Sequence, residues 1–244
     1  TFGRVTFVAV TQIEPSELER LTDMLAAHFV TYYGAPSAEA ARPVAAEELA
    51  QMAELCAAKG VLTLFDGAQA TGQFPIDLSS IGVDFYTGNC HKWLHGPKGS
   101  GFLYVRSSRT QELTPTHVGA GTGSFSDVDG LMPSNSAHRF EYGTWDFGRY
   151  AGLTPLFDWY DEVGWDSVWY WMAHLTGYLK DALADLEGVR THTPKSQEES
   201  SALTTLSIPG VAADRMYREL WEKHRIRLRV VDEVDGNRVS TAIF

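Results

Sequence analysis

Two residues set the chemistry that this sequence makes possible. Asp66 directly follows a short apolar run, VLTLF at 61–65, and Lys92 lies 26 residues further on, between His91 and Trp93. In parallel sheets, ligands collect at the carboxyl ends of strands. A carboxylate buried there is costly unless a cationic partner compensates it. Gly67 lets the backbone turn and approach a ligand. A lysine held beside a buried cofactor can lose its proton and become a nucleophile. An acid and a lysine on neighbouring strand ends suit pyridoxal phosphate, which needs a lysine for its Schiff base and an acid facing its pyridinium nitrogen. The acid keeps that nitrogen protonated, so the ring accepts the electrons left when a bond to a substrate Cα breaks. On this reading Gln69 hydrogen-bonds the ring hydroxyl, and Asn89 and His91 reach the phosphate.

Each residue has a plainer explanation when taken alone. An Asp after a strand is commonly a turn or cap residue, and a Lys is commonly a solvated charge. His91 alone reads as a packed core histidine and Trp93 as packing. Their joint occurrence at this spacing is what favours the cofactor reading.

The elements that must position these residues are legible from periodicity. Residues 4–10 read as a strand, 16–27 as a helix capped by Ser16, and 28–33 as a short strand. A helix is expected from Pro43 to Lys59, with Gly60 as its terminator. Buried strands are expected at 61–65, 83–87 and 101–105, with Gly96, Pro97 and Gly99 forming a rigid turn before the last. Residues 107–140 are rich in Ser, Gly, Thr and Pro and read as a long loop. A helix is expected over 165–187, with Val168, Trp171, Leu175, Leu179, Ala182 and Leu186 on one apolar stripe and Gly188 ending it. Strands at 201–210, 225–231 and 238–244 and a helix near 212–224 follow. The fold class is α/β, with a larger cofactor-binding domain over 1–149 and a smaller C-terminal α+β domain over 150–244.

Composition excludes several classes. The 244 residues carry a formal net charge of −11 and a pI near 5.1, which disfavours nucleic acid or anionic lipid as partner. Hydrophobic residues make up 44% and charged residues 21%, the balance of a globular chain. No run approaches the ~18 apolar residues of a membrane span. Two cysteines give no disulfide framework, so a cytoplasmic location is expected. No His/Cys cluster has metal-ligand spacing. Neither G-x-G-x-x-G nor the P-loop pattern occurs, which weakens a nucleotide-binding reading.

The segments DGAQA (66–70), DFYTGNCHKW (84–93), GPKGSGFLYVR (96–106), FEYGT (140–144) and RVS (238–240) carry a resemblance. The chain resembles the class V aminotransferase family of pyridoxal-phosphate enzymes, on the branch of isopenicillin N epimerase-like and cysteine desulfurase-like proteins. The likeness runs over most of the chain from about residue 40, and more faintly from residue 1. It implies part of a mostly parallel sheet of the pyridoxal-phosphate transferase type, with the smaller α+β domain behind it. By the same resemblance Lys92 carries the Schiff base and moves the proton at Cα, Asp66 pairs with the pyridinium, and Gln69 faces the ring oxygen. Asn89 and His91 hold the phosphate or the near side of the ring. Gly143 and Thr144 match the segment that reaches the partner subunit's phosphate, which implies a homodimer with shared sites. Arg238 matches the arginine that clamps a substrate α-carboxylate, a job suited to its bidentate fork. Its plainer alternative is a surface strand charge.

The sequence also departs from the family pattern. The family's Gly- and Thr-rich phosphate cradle and its ring-stacking residue lie upstream of everything here, and its closing helix lies downstream. The segment 26–36 is shortened where the family has another strand. The chain starts at Thr1 without a leader and stops inside the run 238–244, so it reads as a fragment expected to hold the cofactor weakly or not at all. A desulfurase needs a thiolate shortly before the carboxylate arginine, and 222–237 contains no Cys. Cys56 falls on a helix and Cys90 on the wrong segment, so a persulfide mechanism is disfavoured. Epimerisation, transamination, β-elimination and C–S lysis of a small amino-acid substrate remain open. The competing class is an inactive fragment or relic that keeps the fold without the cofactor.

Overall fold

The computed structural model of the chain describes residues 50–144, 146–196 and 200–243. The elements expected at 4–10, 16–27 and 28–33, and the start of the helix at 43–59, lie outside the described residues. Residues 50–58 of that last element are helical (α1). Gly60 follows with φ +67°, the left-handed conformation that ends helices at low cost.

The first sheet has the order β1-β2-β3, from β1 (Leu64–Asp66), β2 (Phe85–Asn89) and β3 (Gly101–Val105). β1 and β2 are parallel, with Asp66 opposite Thr87, and β3 is antiparallel to β2. One turn of helix, α2 (Leu78–Ile81), joins β1 to β2, and the Asp77 carboxylate caps it by accepting from the Ser79 and Ser80 amides. β1 starts three residues later than the apolar run suggests. The Thr63 amide and hydroxyl turn instead to the Asp84 carboxylate, at 2.9 and 3.1 Å. Phe65, Ile81, Val83 and Tyr86 form the core beneath this sheet.

The expected loop 107–140 contains a hairpin, β4 (Gly123–Ser126) and β5 (Gly130–Pro133), with Gly130 at φ +70° in its turn. Three helices follow: α3 (Phe147–Ala151), α4 (Leu153–Val163) and α5 (Trp165–Ala184). The expected apolar stripe on α5 is corrected. Its buried line is Val168, Met172, Thr176 and Lys180, while Trp171 and Leu186 are exposed. Two of those four residues are polar, and each finds a partner. Thr176 Oγ1 donates to the Met172 carbonyl at 2.7 Å, and Lys180 bonds the Ser200 hydroxyl.

The second sheet is antiparallel, in the order β6-β7-β9-β8. Its strands are β6 (Arg190–Thr191), β7 (Leu203–Ser207), β8 (Arg229–Val231) and β9 (Gly236–Ser240). Strand pairing ends at Ser240, short of the run to 244. The amphipathic helix α6 (Ala213–His224) lies between β7 and β8 in the chain. Its first amide, on Ala213, has no capping side chain beside it in sequence. The Asp235 carboxylate reaches it from the β8–β9 turn at 2.9 Å, and the Asn237 side chain donates to the Ala213 carbonyl at 3.0 Å. A core of Cys90, Trp93, Leu94, Tyr160, Val168, Met172, Ala202 and Leu203 joins the segment after β2 to α4, α5 and β7. No helix among the described residues is long and apolar enough to cross a membrane.

Candidate functional site

Lys92 sits on a tight loop after β2. The Cys90 amide donates to the Ser100 carbonyl at 3.1 Å, and the Gly96 amide returns to the Cys90 carbonyl at 2.8 Å. The His95 amide donates to the Lys92 carbonyl at 3.0 Å, with His95 itself at φ +59°. That conformation is strained for a residue with a Cβ. The Tyr160 hydroxyl supports it, donating to the Trp93 carbonyl at 3.3 Å and accepting from His95 Nδ1 at 3.1 Å. Burial pushes the His95 imidazole below its ordinary 6.5 and the Tyr160 phenol up to about 12, so both stay neutral near pH 7. The Lys92 side chain is half-buried and makes no hydrogen bond or ion pair among the described residues. His91 Nδ1 donates to the Ser100 carbonyl at 2.9 Å. That leaves its Nε2 as an acceptor in the neutral ring.

Asp66 closes β1, and the parallel register brings its end of the strand beside the end of β2 that leads into Asn89 and Lys92. The Gly67 amide seals the junction by donating to the Thr87 carbonyl at 2.8 Å. Asp66 is exposed rather than buried, which corrects the sequence reading. It lies at the carboxyl end of β1, where one carboxylate oxygen accepts from the Ala68 amide at 2.9 Å. Gly67 is explained by packing rather than by ligand approach. A Cβ there would lie 1.8 Å from the Tyr86 hydroxyl. That hydroxyl bonds Thr71 Oγ1 at 2.9 Å, and Thr71 in turn donates to the Gly67 carbonyl at 2.9 Å. Gln69 and Trp93 join the two loops directly, since the indole Nε1 donates to Gln69 Oε1 at 3.0 Å. Asn89 is half-buried at the end of β2, with no side-chain hydrogen bond among the described residues.

Arg238 lies on β9, opposite Thr205 of β7 on one side and Arg229 of β8 on the other. Two like charges directly opposite are unfavourable. Burial and the Arg229 cation both lower the Arg238 guanidinium from its ordinary range. Its Nε is buried without a hydrogen-bond partner among the described residues. Gly143 and Thr144 are exposed, and no hydrogen bond among the described residues joins them to the Lys92 loop.

The structure thus brings Asp66, Gln69, Asn89, His91 and Lys92 to the carboxyl ends of β1 and β2. Arg238 stays on the second sheet and Gly143–Thr144 on the surface. An open apolar pocket of about 410 Å³ is lined by Phe74, Ile76, Leu78, Phe102, Trp165 and Trp169 among others, and by none of the sequence-nominated site residues. Trp93 and Gln73 were missed as polar contributors. The signal for Trp93 was its place beside Lys92. Gln73, four residues after Gln69, gave none. No group of three or more His, Cys, Asp or Glu among the described residues could hold a metal.

The donor set fits a pyridoxal ring. Among the described residues the Lys92 amine and the second Asp66 carboxylate oxygen have no partner, and the Gln69 amide is oriented by one bond to its oxygen. The model of the aminotransferase class-V family matches residues 42–243, and the chain belongs to that family. Residues 1–72 also match a family of unknown function. Isopenicillin N epimerase of Streptomyces clavuligerus is 34% identical over 196 residues, covering 77% of this chain and 49% of that protein. Among solved structures, the C–S lyase C-DES with glycine covalently linked to its PLP cofactor superposes with a TM-score of 0.64 at 26% identity. It covers 72% of this chain and 46% of that one. The cysteine desulfurase CsdA of Escherichia coli superposes with a TM-score of 0.69 at 26% identity, covering 80% and 50%. The α/β architecture is thus part of the fold of these enzymes. The chain spans about half the length of the curated relatives it matches.

Proposed function

We propose that the chain is the Lys92-bearing part of a pyridoxal-phosphate enzyme acting at Cα of a small amino acid. The observation that carries this reading is the parallel register that sets Asp66 opposite Thr87, at the strand ends from which the Lys92 loop begins. Bound there, the cofactor would supply an aldehyde for the lysine and an electron sink for charge developing at Cα. Lys92 would hold the aldehyde carbon and afterwards carry the proton to or from Cα. Asp66 would face the pyridinium nitrogen with its unengaged oxygen. Gln69, its Oε1 taken by Trp93, would present its Nε2 to the ring oxygen. Asn89 and His91 would orient the phosphate or the near side of the ring. Arg238 would bind the substrate carboxylate, whose charge would offset the desolvation of the guanidinium and its repulsion from the facing Arg229.

Gly143 and Thr144, exposed after the Ala137–Phe140 turn, would contact the partner subunit's cofactor phosphate in a homodimer. We assign residues 1–149 to a cofactor domain, 150–244 to a smaller domain, and the protein to the cytoplasm, where its two free cysteines would stay reduced. Epimerisation, transamination and C–S lysis all fit. Burial pushes the Cys90 and Cys56 thiols up, which does not favour a desulfurase thiolate at either position. The test is uptake of pyridoxal phosphate, followed by borohydride reduction and peptide mass spectrometry. An adduct on Lys92 supports the reading. A folded chain with no visible absorbance and no adduct would leave an inactive piece of the fold as the better account.

A further inference from the structure

Gln73 is 8% exposed and uses both ends of its amide. Its Nε2 donates to the Gln69 carbonyl, and its Oε1 accepts the Ala202 amide at 2.7 Å. Ala202 immediately precedes β7. Its carbonyl accepts the Thr241 amide at 3.0 Å and the Thr241 hydroxyl at 3.2 Å, and Thr241 immediately follows β9. One side chain therefore spans from the segment carrying Gln69 to the point where β7 and β9 meet, three residues from Arg238. Turning the amide over would set donor against donor at Ala202 and acceptor against acceptor at Gln69, so its orientation is fixed. Trp169 braces the same segment from α5, donating to the Gly72 carbonyl at 3.1 Å.

We propose that Gln73 is a positioning residue that sets the separation between Gln69 and Arg238. It touches neither the cofactor nor the substrate. It acts through two backbone groups, the Gln69 carbonyl and the Ala202 amide. The two groups that grip ring oxygen and substrate carboxylate then move as one unit. This inference rests on the function proposed above, which assigns Gln69 and Arg238 those roles.

The test uses the full chain as wild type, Q73M, Q73E, R238K and the double variants of each Gln73 change with R238K. Three quantities are read: hydrogen exchange at the Ala202 amide without cofactor, the dissociation constant for pyridoxal phosphate, and the dissociation constant of the loaded protein for glycine. Q73M is expected to speed Ala202 exchange and weaken glycine binding, each about tenfold. Its pyridoxal-phosphate affinity is expected to change less than about threefold, because Trp93 still holds Gln69. In the R238K background the effect on glycine disappears. Q73E keeps the acceptor toward Ala202, so it retains the exchange protection while still weakening glycine, and it carries the comparison if Q73M does not fold. Equal weakening of glycine in the Arg238 and R238K backgrounds overturns the positioning role, as does no weakening at all. A wild-type chain that takes up no pyridoxal phosphate overturns the functional reading as well, so the two failures are distinct.

Discussion

The indole of Trp93 donates to the side-chain oxygen of Gln69 at 3.0 Å, across the gap between the two loops that carry Asp66 and Lys92. This bond decides which end of the Gln69 amide is left to a ligand. A free glutamine could turn either end of its amide to a ligand, whereas this one has its orientation fixed and its Nε2 left as the uncommitted donor. W93F removes the bond while keeping most of the ring. We expect about 1 kcal/mol lost in folding stability and pyridoxal-phosphate affinity lowered about fivefold. Denaturant unfolding and an absorbance titration check both. Unchanged cofactor affinity in W93F would remove Trp93 from the site.

The Lys92 side chain makes no hydrogen bond or ion pair among the described residues, so its removal should be structurally quiet. K92A is expected to unfold within about 0.5 kcal/mol of wild type. The same variant should lose the borohydride-trapped adduct completely. A large drop in stability would mean that the amine has a structural partner.

Gly67 faces the opposite outcome. An alanine Cβ would lie 1.8 Å from the Tyr86 hydroxyl and 1.9 Å from the ring carbon bearing it. We expect G67A to cost about 3 kcal/mol through overpacking. Adding Y86L should return part of that loss. Two additive penalties in the double variant would contradict the steric account.

Asp84 makes the fold sensitive to acid. Burial pushes its carboxyl up, but hydrogen bonds from Thr63 and Arg109 outweigh this and hold it below its ordinary 3.8. The unfolded chain then binds the proton more tightly, so stability is full above about 3.8 and falls as pH drops through the folded value beneath it. D84N is expected to cost about 2 kcal/mol near neutral pH. It should also flatten the acid limb of a plot of stability against pH. An acid limb of unchanged steepness in D84N would assign the effect to other carboxylates.

His95 acts in the same direction at milder pH. Its imidazole is held below 6.5 by burial, so protonation favours the unfolded chain. The melting temperature should decline as pH falls below about 6.5. H95N, which tolerates the left-handed backbone, should weaken that decline.

Much of the first sheet was legible because its strands are short apolar runs bounded by Gly and Asp. β3 falls where the run GFLYV places it. β2 starts two residues later than expected, because the Asp84 side chain bonds back to Thr63 just before the ladder begins. The stripe on α5 was misread for a different reason. Apolar periodicity cannot register Thr176 and Lys180, which are buried through hydrogen bonds rather than through hydrophobicity. The β4–β5 hairpin was hidden among polar residues, although DVDG at 127–130 is a turn signal. Asp66, Gln69 and Lys92 were nominated from their types and spacing. Gln73 was not, since its role depends on Ala202, 129 residues away.

The loop after β2 is stapled at both feet, at Cys90–Ser100 and at Gly96–Cys90, with His95 locked at its crown. Its backbone has little freedom to follow a departing ligand. Any travel by the amine must come from the lysine's own four-methylene tether, swinging about a stationary anchor. An amine on a shorter arm would fall short, and the loop could not make up the distance.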